Sequence, residues 1–260
     1  MANNENDRTV ELRSGGTMPL LGFGTFQVSA REANQVVRTA LDVGYRHIDT
    51  ATGYSNEEPI GAAIRDSQID RDKLFITTKC PPQNVGRERE TIEASLRALG
   101  TDYVDLWLIH WPPNGEARPD MWKAFIEIAS EGKAAAIGVS NYSTDQVDEL
   151  VHATGVVPAV NQIPWSPSLY DPARVAQLAE RGIVLEGYSA LKKSRLGSPV
   201  LVEVAQAHGV TPAQVVLRWH LDHGFVVIPK SVHRERMEEN FNLYGFELTD
   251  EELGRVDDLG

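Results

Sequence analysis

From residue 45 to residue 110 the chain reads Tyr45-Arg46-His47-Ile48-Asp49, then Leu74-Phe75-Ile76-Thr77-Thr78-Lys79, then Val104-Asp105-Leu106-Trp107-Leu108-Ile109-His110. Each run has the length and side chains of a buried strand and ends in an ionisable residue, and Tyr54 lies five residues beyond the first. Five further segments read as strands: Leu20 to Thr25, Ala134 to Ser140, Val156 to Gln162, Ile183 to Ser189 and Phe225 to Ser231. Helix-period stretches separate them, such as Glu32 to Val43 with Ala33, Val36, Val37, Ala40 and Leu41 on one face. Alternating strands and helices make a parallel sheet, and eight strands close an α/β (β/α)8 TIM barrel.

Helix starts and stops are marked chemically. Ser29-Ala30-Arg31-Glu32, Ser55-Asn56-Glu57-Glu58 and Thr211-Pro212-Ala213-Gln214 have capping-box spacing, and Asp171-Pro172 opens a further helix. Gly100, Gly132, Gly155, Gly182 and Gly209 stand where helices should end. Ahead of the first strand, Thr9 to Arg13 and Thr17 to Leu21 flank Ser14-Gly15-Gly16, the pattern of a hairpin able to cap the bottom of the barrel. The connection from Ser189 to Phe225 must hold two helices, Pro199 to His208 and Thr211 to Asp222. That leaves Ala190 to Ser198 as a free loop carrying Lys192, Lys193 and Arg195, either an anion clamp or a solvated basic loop. A last helix is expected over Thr249 to Leu259.

The 260 residues, 42% of them hydrophobic, suffice for one large core, and no composition break or repeat divides them, so residues 1–260 are read as a single domain. Twenty-five basic against 37 acidic side chains give a net charge of −12, which argues against a general nucleic-acid or lipid-surface binder. A lone cysteine, Cys80, allows no intrachain disulfide and no cysteine cluster for zinc. Met1 to Ser14 is polar, without a leader's apolar core, and no run approaches membrane-spanning length. The expectation is a soluble cytoplasmic protein without metal, monomeric, with a dimer as the alternative.

Asp49, Tyr54, Lys79 and His110 each have an ordinary reading in isolation: a helix cap, a surface tyrosine, a snorkelling lysine, a satisfied core histidine. In a parallel barrel, however, all strand C-termini open on one face, so the four converge. A phenol beside an ammonium, a carboxylate and an imidazole is a proton donor. Asp49 would hold Lys79, Lys79 would acidify Tyr54, and neutral His110 would orient a substrate oxygen. Without a nucleophile, metal or paired carboxylates, the reaction that fits is carbonyl reduction. No Gly-x-Gly-x-x-Gly or Walker-type loop is present to hold a hydride-donating dinucleotide. Ile228 to Asn240 offers another way, because Lys230-Ser231 leads into a helix that starts with basic residues, where the 2′-phosphate of NADPH would fit. An ordinary polar helix start is the competing reading.

Three ordered motifs carry a resemblance that covers nearly the whole chain: Gly44-Tyr45-Arg46-His47-Ile48-Asp49-Thr50-Ala51 with Tyr54, Asn56 and Glu57; Leu108-Ile109-His110-Trp111-Pro112 with Gly138-Val139-Ser140-Asn141-Tyr142; and Ile228 to Asn240. In these the sequence resembles the aldo-keto reductase family, within it the bacterial, diketogluconate-reductase-like members. The resemblance implies a barrel that binds NADPH without a Rossmann domain and moves hydride to an aldehyde or ketone, a small-molecule carbonyl substrate, with Tyr54 as general acid. It implies that Ser140, Asn141 and Gln162 bind the carboxamide, that Tyr188 stacks on the nicotinamide, and that Ser189 and Leu191 approach the pyrophosphate. Lys230, Ser231, His233 and Arg236 would surround the 2′-phosphate, and Glu239 and Asn240 the adenine.

The chain departs from the commonest family pattern at Phe26, at Cys80-Pro81-Pro82 and at Pro164-Trp165-Ser166. With the short loop from Trp111 to Asp120 and little chain after the last helix, these departures imply an open cleft lined by Phe26, Trp111 and Trp165 that accepts bulky carbonyls. Two alternatives remain: an NADPH-sensing regulatory subunit of the same fold with little turnover, and a barrel isomerase using Lys79 as a Schiff base. Asp49 argues against the second, because a paired ammonium is a poor nucleophile.

Overall fold

In the structure, a computed structural model that describes residues 8–260, a short hairpin precedes the barrel. Strands β1 (Thr9–Glu11) and β2 (Thr17–Pro19) pair antiparallel, with Val10 opposite Met18. β2 runs directly into the first barrel strand, so the hairpin caps the N-terminal end of the barrel and buries Met18 completely. Residues 1–7, which carry half of the stretch read as lacking a leader, lie outside the described residues.

Eight strands then follow: β3 (Phe23–Gly24), β4 (His47–Asp49), β5 (Phe75–Cys80), β6 (Val104–Ile109), β7 (Ala134–Ser140), β8 (Val160–Pro164), β9 (Val184–Tyr188) and β10 (Val226–Val227). They are parallel and ordered consecutively. A bridge between Leu21 and Val227, with backbone bonds from Val227 to Leu20, Gly22 to Val227 and Gly24 to Pro229, joins the last strand to the first. The helices are α1 (Ala30–Val43), α2 (Glu57–Asp66), α3 (Glu88–Leu99), α4 (Pro119–Ser130), α5 (Thr144–Thr154), α6 (Pro172–Glu180), α7 (Ala190–Lys193), α8 (Pro199–His208), α9 (Pro212–Asp222), α10 (Arg234–Phe241) and α11 (Asp250–Asp257). The face of α1 read from its period is the buried one: Ala33, Val36, Val37, Ala40 and Leu41.

All eight expected strands are present; β7 keeps its expected bounds, β4, β5, β6 and β9 move by a residue or two at their ends, and β3, β8 and β10 change most. β3 keeps two residues of Leu20 to Thr25, and its glycines let the chain pass close to its neighbours. A Cβ on Gly22 would collide with His47 Nδ1, and one on Gly24 would lie 2.8 Å from the Ile228 carbonyl oxygen. β8 begins at Val160 rather than Val156, since Pro158 has no N–H to give the ladder. β10 stops at Val227 rather than Ser231; Pro229 offers only its carbonyl, which accepts from Gly24.

Helix caps divide likewise. Thr211 forms a complete capping box and Asp171 accepts from Ala173 and Arg174. The Ser29 box is incomplete, its hydroxyl bonding the Glu32 carboxylate at 2.6 Å instead of a backbone N–H. The Ser55 box is absent: Ser55 is left-handed at φ 55°, and α2 starts one residue later with Asn56 at its N-cap. Gly100, Gly155 and Gly209 end helices in the left-handed region, and Gly132 and Gly182 do so one residue past the cap. Ala190 to Ser198 is not wholly a free loop, since Ala190 is buried and starts the helical turn α7. Among the described residues no single helix is long and apolar enough to cross a membrane, and no group of three or more His, Cys, Asp or Glu could hold a metal ion.

Candidate active site

Asp49 ends β4 and Lys79 is the penultimate residue of β5, its direct neighbour, so both side chains project into the C-terminal end of the barrel. Lys79 Nζ donates to both Asp49 oxygens at 2.7 Å and to the Thr50 carbonyl at 2.8 Å. The pair is buried, with side chains 0% and 2% exposed. Tyr54 closes a single 3-10 turn, Thr52–Tyr54, folded down by its N–H bond to Ala51. That turn is anchored by buried Asn56, whose amide donates to the carbonyls of Thr25 and Val28 and accepts from Thr50. Lys79 Nζ consequently lies 5.2 Å from the centre of the Tyr54 ring. His110, just past β6, meets the same ring edge-on at 5.5 Å between centroids. Glu57, part of the first motif, is scaffolding, since its carboxylate accepts from Thr78 and Ser95.

Electrostatics follow the geometry with one correction. Burial disfavours the Lys79 ammonium, but Asp49, Tyr54 and Glu186 more than offset it and hold the group above its ordinary value. Burial, helped by Lys79, pushes His110 down to about 3, so the imidazole is neutral at pH 7. For Tyr54, Lys79 does lower the phenol, but burial raises it by more and Asp49 adds to the rise. Lys79 acts on the phenol in the expected direction, but desolvation of phenolate is the larger effect, so the net shift is upward and the hydroxyl keeps its proton at neutral pH.

Above this floor opens a cavity of about 360 Å³. Asp49, Tyr54 and His110 line it, while Lys79 lies beneath. One wall comes from Ser140, Asn141, Gln162 and Tyr188, which are already linked. Ser140 donates to the Gln162 carbonyl at 2.8 Å, Asn141 donates to Ser140 at 2.9 Å and to the His110 carbonyl at 3.2 Å, and Tyr188 donates to Asn141 at 2.7 Å. The Gln162 amide donates to Asp49 at 2.8 Å. Ser189, Leu191, Lys192 and Lys230 line the outer part, and Phe26 and Trp111, 57% and 49% exposed, stand at the rim.

Not every sequence-predicted residue reaches this cavity. Trp165 is 1% exposed and packs against Tyr170 and Phe225, so it belongs to the core and not to the cleft lining. Ser231, His233, Arg236, Glu239 and Asn240 follow Lys230 around the start and body of α10, beyond the cavity lining. His233 and Arg236 are exposed and Asn240 is buried. The Ser231 hydroxyl accepts from the His233 N–H, and Glu239 accepts from Thr211. Sequence reasoning missed Gln27 in the lining and the roles of the buried pair His47 and Glu186 under the floor. A lone acid inside the apolar run Val184-Leu185-Glu186-Gly187 was the signal for Glu186.

The Aldo/keto reductase family model matches residues 16–260. The chain is 42% identical to morphine 6-dehydrogenase from Pseudomonas putida over 96% of its own length and 90% of that protein's. It is 41% identical to methylglyoxal reductase DkgA from Escherichia coli (strain K12), over 96% and 93%. A solved structure of a Gox0644 variant in complex with NADPH superposes with a TM-score of 0.92 at 35% identity, covering 97% of this chain and 93% of that one.

Proposed function

The chain belongs to the aldo/keto reductase family, and on that premise we propose that it reduces aldehydes and ketones to alcohols with NADPH, using Tyr54 as the general acid. It is an oxidoreductase of the NADP-dependent type. The observation that carries the finer assignment is the position of the Tyr54 ring on the cavity floor, between a buried ammonium and a neutral imidazole.

The lining suits a nicotinamide dinucleotide. Ser140, Asn141 and Gln162 supply hydroxyl and amide groups for a carboxamide, half-buried Tyr188 supplies an aromatic face, and Lys192 and Lys230 supply cations for phosphates. Ser189 and Leu191 border the same outer part. Beyond it, Ser231, His233 and Arg236 would meet the 2′-phosphate, with Glu239 and Asn240 toward the adenine. When bound, NADPH supplies the hydride that reaches the carbonyl carbon.

The protein's part is the proton. Tyr54 gives its hydroxyl proton to the carbonyl oxygen as negative charge develops there, and Lys79 stabilises the phenolate left behind. Asp49 keeps Lys79 charged and fixed. His110, neutral, donates an N–H that orients the oxygen. The exposed rings of Phe26 and Trp111 favour carbonyls with bulky apolar substituents. NADPH oxidation followed over small aldehydes, aromatic aldehydes, α-keto esters and cyclic ketones tests this reading. Turnover of the larger substrates is expected; no turnover of any carbonyl would defeat it.

A further inference from the structure

The Asp49 and Lys79 pair has a third ionisable group beneath it. Glu186, in the middle of β9, is completely buried, and neither of its carboxylate oxygens has a hydrogen-bond partner among the described residues. On β8 the residue in register with it is Gln162, whose amide is given to Asp49. On β4 it faces His47, with Nε2 3.8 Å from Oε1, but that nitrogen already meets the Thr77 hydroxyl at 3.1 Å. Burial, aided by Lys79, holds His47 down at about 3, so it brings no positive charge. β10 contributes only Val226 at this level. The ionisable groups that act on Glu186 or feel it are thus His47 and Asp49 from β4, Lys79 from β5 and Tyr54 from the turn.

One ammonium cannot balance two carboxylates in this interior. With Glu186 neutral, Asp49 and Lys79 cancel; with Glu186 ionised, the cluster carries a net buried anion, and the one amide donor near it, that of Gln162, is already given to Asp49. We propose that Glu186 is a positioning residue whose proton sets how strong an acid Tyr54 is. Neutral, it leaves the field of Lys79 directed at the phenol. Ionised, it draws on the same ammonium and makes phenolate harder to form. Burial first, then Asp49, hold the Glu186 carboxyl well above the ordinary carboxylate range, so its ionisation falls where the enzyme can be assayed. Charge on Glu186 also raises the Tyr54 phenol.

This inference rests on Tyr54 being the general acid. Its test is the single-turnover rate of carbonyl reduction by NADPH between pH 6 and pH 11 in the wild type and in Glu186→Gln. The wild type should show two successive falls, the first from Glu186 and the second from Tyr54. Glu186→Gln should lose the first fall, and its remaining one should move to lower pH by roughly half a unit, because an anion beside the phenol is gone. Glu186→Leu, which removes the carboxyl and leaves no unpaired polar atom, serves if the amide variant does not fold. A wild type without the first fall, or wild-type and Glu186→Gln profiles that superpose, would overturn the proposal. Failure of the premise reads differently, since Tyr54→Phe would then react at near-normal rate whatever stands at residue 186.

Discussion

Lys79 Nζ sits 2.7 Å from each carboxylate oxygen of Asp49 and 5.2 Å from the centre of the Tyr54 ring, in a pair whose side chains are 0% and 2% exposed. At that depth the two charges depend on one another. Removing the cation by Lys79→Met leaves Asp49 as an uncompensated buried anion, so the variant should lose about 3–5 kcal/mol of stability along with most activity. Urea unfolding and steady-state rates check both. A variant that loses activity at unchanged stability would show that the pair is not the structural unit described.

His110 held at about 3 is neutral throughout the physiological range. The rate of reduction should therefore show no acid-side break near pH 6.5, where an ordinary histidine titrates. A pH–rate profile from pH 5 to 8 reads this directly. A fall centred at pH 6.5 that vanishes in His110→Gln would mean that the imidazole is charged at work.

Burial lowers His220 to about 4. Between pH 6.5 and about 4 the unfolded chain takes up a proton at this residue that the folded protein refuses, so stability falls as the pH falls, by up to about 1.4 kcal/mol per unit. Relative to the wild type, His220→Gln should lose this slope while keeping its offset at pH 7.5. Urea midpoints at pH 7.5 and 5.0 for the two proteins supply the comparison; parallel losses would contradict it.

Lys230 borders the cavity and Arg236 is exposed in the first turn of α10. If they meet the 2′-phosphate, Lys230→Ala and Arg236→Ala should each raise KM for NADPH about ten- to hundredfold, with little change in kcat or in KM for NADH. Equal losses with both nucleotides would remove the phosphate from this reading.

Phe26 and Trp165 separate the cleft from the core. Phe26→Ala should weaken KM for aromatic carbonyls while folding normally, whereas Trp165→Ala should cost about 3–5 kcal/mol of stability and leave substrate preference alone. Thermal melts and a substrate panel distinguish the two.

The barrel and the cluster of Asp49, Lys79 and His110 at its mouth were readable because both depend on local pattern. Apolar runs, helix periods and the placement of Asp49, Lys79 and His110 at strand ends follow from a chain that alternates strand and helix. What pattern could not convey was depth. Trp165 looks like a pocket aromatic in sequence, but its place one residue past β8 turns it into the core beside Phe225. The direction in which Tyr54 shifts depends on how much water reaches the ring, which spacing does not encode. Glu186 was visible as an acid in an apolar strand, but its bearing on Lys79 emerges only when β9 closes against β4 and β5 around the barrel. The strand ends that moved, at Val160 and Val227, did so at prolines whose missing N–H is plain in the sequence, though not the ladder position it interrupts.

The central claim is that Tyr54 donates the proton, and the most direct measurement pairs single-turnover reduction with NADPH binding in Tyr54→Phe. With the phenol acting only in the chemical step, as proposed, the rate should fall by about 10²–10⁴-fold while the dissociation constant for NADPH stays within about twofold of the wild type. A near-normal rate would contradict the account.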